Sequence, residues 1–200
     1  MAMNLNHVPV QNIVHTENGV LVHCRTWIPP SDDSWKLSFA GCTPGSALFK
    51  AGVGIVVRDQ NAIFKTAFAA PIRNFGNQTV TELTALNLGL DLALKQGVDY
   101  IEIEGDYSPV INILTSEDVV PSSFPSSVRT LVVECGDLLN KFRSVLVRQV
   151  HFQANESANT LAVVGCELDE SFQWINKPPQ VIAESLILDV IGRWMPLAGP

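Results

Sequence analysis

The apolar period of this chain changes abruptly near residue 80, and that change restricts it to mixed α/β folds. Trp35, Leu37 and Phe39 alternate with smaller or polar neighbours up to Ala40, and two further β-rich runs follow, Ala51 to Arg58 and Asn61 to Ala70. Alternation with a period of two predicts strands. The short Asp59-Gln60 connection makes the last two runs antiparallel hairpin neighbours. From Val80 the spacing lengthens: Val80, Leu83, Leu86, Leu90 and Leu94 recur every three or four residues until Gly97, which predicts a helix over about 79–96. Gly89 inside it costs about 1 kcal/mol relative to alanine, so a close neighbour is expected there.

Further along, Tyr100 to Glu104 alternates again, and Ser108 to Thr115 predicts a short helix with Pro109 tolerated in its first turn. The serines of 122–127 can cap a helix over 128–142, Ser144 to Phe152 is another β-rich run, and Asn155 can cap a helix through Glu167. The order is β-β-β-α-β-α-α-β-α, a layered α/β arrangement. It predicts three regions: an arm or linker over 1–34 containing a possible strand at Val20–Cys24, a domain over 35–169, and an extension over 170–200. Lys177-Pro178-Pro179 sets off an amphipathic helix over Val181–Ile191 in that extension.

Composition narrows the function classes. The balance of 13 basic against 20 acidic residues leaves a formal charge of −7, so any contact with a phosphate backbone must be local. Cys24, Cys42, Cys135 and Cys166 lack both the close spacing of a zinc site and the density of a disulfide scaffold; they read as reduced, mostly buried thiols of an intracellular protein, nuclear or cytoplasmic. No stretch has the apolar length of a membrane span, and the first residues lack a secretory pattern.

Five segments, in this order and spacing, resemble the ribonuclease H family. They are Trp35-Lys36-Leu37 after a Pro-Pro linker, Ala51 to Asp59, Thr81-Glu82-Leu83-Thr84-Ala85-Leu86, Ile103 to Ser108, and Val150-His151-Phe152 to Asn159. The likeness is strongest to plant RNase H-like proteins and to the RNase H portions of plant LINE-type retroelements, and it extends from Trp27 to about Trp194. It implies a five-stranded mixed sheet, three antiparallel strands first and then parallel additions, flanked by helices. It also implies hydrolysis of the RNA strand of an RNA–DNA hybrid with two Mg²⁺ ions held by acidic residues.

Carried over residue by residue, that pattern is incomplete. Glu82 in the first long helix and Asp106 after the fourth strand match acidic metal-binding positions. Ala40 stands where the family has an aspartate that bridges both cations, and Asn159 stands where the last acidic residue belongs. Alanine has no ligand atom, and the asparagine amide removes one negative charge, so the resemblance implies weak Mg²⁺ binding or none. Glu104 shares the strand side of Asp106, and Glu156 neighbours a retained segment, so both are possible substitute ligands. His151 matches a family histidine that assists product release, but with no carboxylate partner evident in the sequence it reads as an ordinary strand-end histidine.

Lys141, Arg143 and Arg148 bracket the turn into the fifth strand and are the nearest approach to a nucleic-acid-binding cluster, although three cations on an acidic chain also serve plain solubility. Three functional readings follow. The first is a ribonuclease H-like pseudoenzyme, derived from a retroelement, that binds RNA–DNA hybrid or RNA. The second is an active metal-dependent ribonuclease whose catalytic aspartates have been replaced by Ala40 and Asn159. The third is a protein-interaction domain without nucleic-acid contact, with the C-terminal helix, followed by Trp194 and Met195, as its docking element.

Overall fold

The computed structural model describes residues 15–17, 20–22, 27–44, 50–73, 77–116 and 123–191. Trp194, Met195 and Cys24 lie outside the described residues. Near the N-terminus, β1 (His15–Glu17) and β2 (Val20–Val22) form an antiparallel pair. The main sheet is built from β3 (Trp35–Cys42), β4 (Ala51–Arg58), β5 (Phe64–Ile72), β6 (Tyr100–Gly105), β7 (Ser144–Gln149) and β8 (Phe172–Ile175). Its spatial order is β7-β6-β3-β4-β5-β8. β3, β4 and β5 form the antiparallel meander, while β6 joins β3 and β7 joins β6 in parallel.

The sheet has six strands rather than five, because β8 pairs antiparallel with the outer edge of β5. Four residues are too few for a recognisable alternation, and two of them, Phe172 and Ile175, remain exposed. The pairing draws on Thr66, whose hydroxyl donates to the Trp174 carbonyl and accepts from the Gln173 amide. The connection between β4 and β5 is also longer than two residues. Asp59 Oδ1 accepts from the backbone of Asn61 and Ile63, and Ala62 turns at φ 63°, which delays β5 to Phe64.

Helices α1 (Gln78–Lys95) and α3 (Ser126–Leu139) cover one face of the sheet, with α2 (Ser108–Thr115) beside them; α4 (Glu156–Glu167) covers the other face and α5 (Ala183–Ile191) packs on α4. Asn77 caps α1 through a bond from the Val80 amide, whereas α3 starts after Pro125 with no serine cap. The larger core lies between the sheet and α1–α3 and includes Leu37, Phe39, Ile55, Leu86 and Val132. A Cβ on Gly89 would meet Leu37 Cδ1 at 2.8 Å, the close neighbour that its helix-interior position calls for. Closer still is the other layer: a Cβ on Gly54 would stand 2.1 Å from the Ala158 carbonyl oxygen, so α4 lies directly on the backbone of β4.

Residues 27–34, assigned from sequence to the linker, dock on the α4 face. Trp27 is buried with its ring 3.5 Å from the Arg58 guanidinium carbon, and Ser31 donates to Glu102 through its backbone and hydroxyl. Beneath them lies a buried ionic network. Lys36 donates to the Ile28 carbonyl and sits 3.5 Å from Glu102 and 3.3 Å from Glu104; Ser38 donates to Glu104. Burial opposes ionisation of Glu102, but the Ser31 hydrogen bonds and the charges of Lys36 and Arg148 outweigh it, so its pKa lies below the ordinary value. The tail closes the same layer. Ile182 is buried against Val56, Ala67, Ala69 and Leu161, and Asp189 on α5 bridges Arg58 at 2.6 Å.

Candidate functional site

The elements that carry Ala40, Glu82, Asp106 and Asn159 converge where β3 and β6 end against α1 and α4. Gly41 makes the convergence possible, since a Cβ there would stand 2.9 Å from the Glu82 backbone nitrogen. Gln78, one turn before Glu82, ties strand to helix by donating to both the Gly41 carbonyl and the Glu82 carboxyl at 2.7 Å.

Glu82 is buried, and its surroundings determine its protonation. Desolvation is the dominant cause that pushes its pKa from 4.5 to about 8, the nearby Asp106 charge pushes the same way, and hydrogen bonds from Gln78 and the Gly41 backbone offset only part. At neutral pH Glu82 therefore mostly keeps its proton. Asp106, just past the end of β6, is half-buried, and both of its carboxylate oxygens accept side-chain amides. Asn155 donates to Oδ1 at 2.6 Å, and Asn159 makes a longer bond of 3.4 Å to Oδ2.

Asn155 has a role that the sequence did not disclose. It stands before α4, but its side chain makes no capping bond; the amide instead bridges Asp106 and the Phe39 carbonyl at 2.9 Å. An asparagine before a helix looks the same in sequence whether it caps or reaches across the fold. Ala40 is fully buried and packs its methyl against Ala158 and Ala162, so its position is filled by an apolar helix–strand contact. Glu104 is occupied by Ser38 and Lys36 within the buried network. Among the described residues, no three His, Cys, Asp or Glu side chains gather as a metal-binding group.

A cleft of about 570 Å³ opens beside Asp106, with Phe152, Gln153, Glu156, Asn159 and Val163 among its walls. His151 caps the 3-10 turn Phe152–Asn155 by accepting from the Gln153 amide at 3.3 Å, and its ring lies 4.4 Å from that of Phe152. The predicted cations do not share one surface. Lys141 and Arg143 precede β7, whereas Asp106 follows β6; because β6 and β7 are parallel, these cations lie at the opposite end of the sheet from Asp106. Arg143 pairs with Asp99 at 3.2 Å, and Arg148 turns toward Glu102 at 3.7 Å.

The sequence pattern of the reverse transcriptase-like family matches residues 39–165, the span that carries this topology from β3 to α4. The chain belongs to that family, within the ribonuclease H-like superfamily. Among solved structures, this ribonuclease H-like chain is similar to RNase H1 from the halophilic archaeon Halobacterium salinarum NRC-1, with 24% identity, 67% of this chain and 98% of the other covered, and a TM-score of 0.60. It is similar also to the N-terminal RNase H domain of a Mycobacterium tuberculosis protein, with 22% identity, coverage of 67% and 94%, and a TM-score of 0.61. LC11-RNase H1, solved in complex with an RNA/DNA hybrid, matches at 15% identity, coverage of 66% and 96%, and a TM-score of 0.58. No curated protein matches the sequence of this ribonuclease H-like chain.

Proposed function

We propose that this ribonuclease H-like domain binds RNA–DNA hybrid or RNA without cutting it. One observation carries the reading: both oxygens of Asp106 are engaged by the amides of Asn155 and Asn159, where a nuclease of this family would present carboxylates to cations. The donor set does not fit a pair of Mg²⁺ ions. Two Mg²⁺ ions need protein oxygens on both cations, and this site offers one half-buried carboxylate already bonded to two amides, one buried Glu82 bonded to Gln78, and an alanine packed on Ala158 and Ala162 where the resemblance places the bridging ligand. The nucleic-acid partner is supported by the fold's likeness to LC11-RNase H1, which was solved with an RNA/DNA hybrid. The formal charge of −7 and the ion pairs that engage Arg143 and Arg148 confine such binding to local contacts.

Incubation of the chain with labelled hybrid in Mg²⁺ or Mn²⁺ tests the first half of the reading: the hybrid stays intact, and turnover would refute it. Titration of the same hybrid across a salt series tests the second. A complex that weakens with salt is expected, whereas none even at low salt removes nucleic acid from the account. That outcome would favour the reading of a protein-interaction domain docking through the C-terminal helix, for which there is a specific observation: Ile187, Leu188, Val190 and Ile191 of α5 remain exposed.

A further inference from the structure

Two cysteines far apart in sequence meet where β3 ends against the last turn of α4. Cys42 is the final residue of β3 and pairs in register with Gly52 on β4. A Cβ on Gly52 would stand 2.4 Å from the Cys166 backbone nitrogen, so helix and strand pair are in direct backbone contact there. Cys166 Sγ lies 3.7 Å from the Cys42 carbonyl oxygen and 3.5 Å from the Ala162 carbonyl oxygen, and the Cys42 side chain packs on the same face against Ala158 and Ala162. Both thiols are only partly buried, unlike Cys135, which is sealed in the opposite layer and donates to the Leu83 carbonyl. Regular elements hold both sulfurs, so the pair is set by the packing of α4 on the sheet. Of the thiols expected to be mostly buried, Cys135 is buried while Cys42 and Cys166 are only partly so.

We propose that Cys42 and Cys166 form a two-thiol modification site that reacts with a low-molecular-weight disulfide, such as glutathione disulfide, and closes into an intramolecular disulfide. One cysteine, as its thiolate, attacks a sulfur of glutathione disulfide; the glutathione S–S bond breaks, one glutathione thiolate leaves and takes up a proton, and a mixed disulfide forms. The second cysteine loses its proton, attacks the protein sulfur of that mixed disulfide and releases the second glutathione. The two protein sulfurs together lose two electrons, and one glutathione disulfide becomes two glutathione thiols. Burial and the Cys42 contact hold the Cys166 thiol up at about 12, so exchange proceeds through a small thiolate fraction and takes on the order of hours. The bond would link positions 124 residues apart and tie the strand of Ala40 to the helix of Asn159.

The test is incubation of the full chain with excess glutathione disulfide, followed by peptide mapping without reductant. The expected product is a Cys42–Cys166 linked peptide pair lacking two hydrogens. Faster migration of the monomer on a non-reducing gel and a melting temperature raised by about 5–15 °C should accompany it, both reversed by dithiothreitol. C135S should behave in the same way, while C42S and C166S should lose the effect. Recovery of Cys42 and Cys166 as free thiols, as separate glutathione adducts, or joined to Cys24 or to a second chain would overturn the proposal. The mapping on the unaltered chain decides even where a variant folds poorly.

Discussion

The Asn155 amide donates to Asp106 Oδ1 at 2.6 Å while holding the Phe39 carbonyl at 2.9 Å, and so ties the end of β6 to the middle of β3. Asn155 is buried, so its bond to Phe39 forms away from bulk water, while the bond to half-buried Asp106 borders the cleft. Asn155→Ala leaves a buried carbonyl and one carboxylate oxygen without their donor. Hydrogen bonds to charged groups contribute about 1.5–3 kcal/mol and neutral ones about 0.5–1.5 kcal/mol, so a loss of about 2–4 kcal/mol is expected in urea denaturation. A change within 0.5 kcal/mol would mean that the amide has no structural role.

Glu82 gives a pH dependence with a definite sign. Its pKa rises from 4.5 in the unfolded chain to about 8 in the folded one, so the unfolded state releases its proton first as pH increases. Stability is fully present below about pH 4.5 and is lost progressively toward pH 8, by about 1.4 kcal/mol for each pH unit in that window. Glu82→Gln abolishes this component. The variant should gain on the unaltered chain by a few kcal/mol between pH 4.5 and 8, as read from chemical denaturation at both ends. A gap that does not change with pH would contradict the raised pKa.

Ala40 and Asn159 yield a metal-dependent comparison. Ala40→Asp alone places a carboxylate against Ala158 and Ala162 and should cost about 1–3 kcal/mol. In the A40D/N159D double variant two carboxylates are added at the end of the sheet that carries Asp106, one of them in the Asn159 position that contacts it, and Mg²⁺ should raise its melting temperature relative to EDTA. The unaltered chain should melt at the same temperature in both. A Mg²⁺-dependent shift in the unaltered chain would overturn the reading of a site unsuited to dications.

Lys36 is surrounded by Glu102 and Glu104 and is almost fully buried. Lys36→Met leaves two buried carboxylates without their shared cation and should cost about 3–5 kcal/mol in denaturant unfolding. K36M/E104Q, which removes one of those charges as well, should recover part of the loss. Equal destabilisation in the single and double variants would place the effect of Lys36 in packing and not in charge.

Chain-local patterns carried much of this protein. The alternation around Leu37 and Phe39 and the three-to-four spacing from Val80 to Leu94 each report which side of an element meets the core, and both are set by backbone geometry over a few residues. Glu82 and Asp106 were recognisable because each belongs to a compact motif.

The features that define the site's chemistry depend instead on groups brought together across the fold. Asn155 meets Asp106 across 49 residues and Phe39 across 116, Cys166 meets Cys42 across 124, and Lys36 finds its carboxylates on β6 only through parallel pairing with β3. Lys141 and Arg143 are close to Arg148 in sequence, yet the direction of β7 separates them and ion pairs claim both arginines. Sequence by itself determined the elements and their inward faces, because these follow from short-range periodicity. Tertiary structure alone decided which polar groups share a low-dielectric space, and with that the proton on Glu82 and the hydrogen bonds of Asp106.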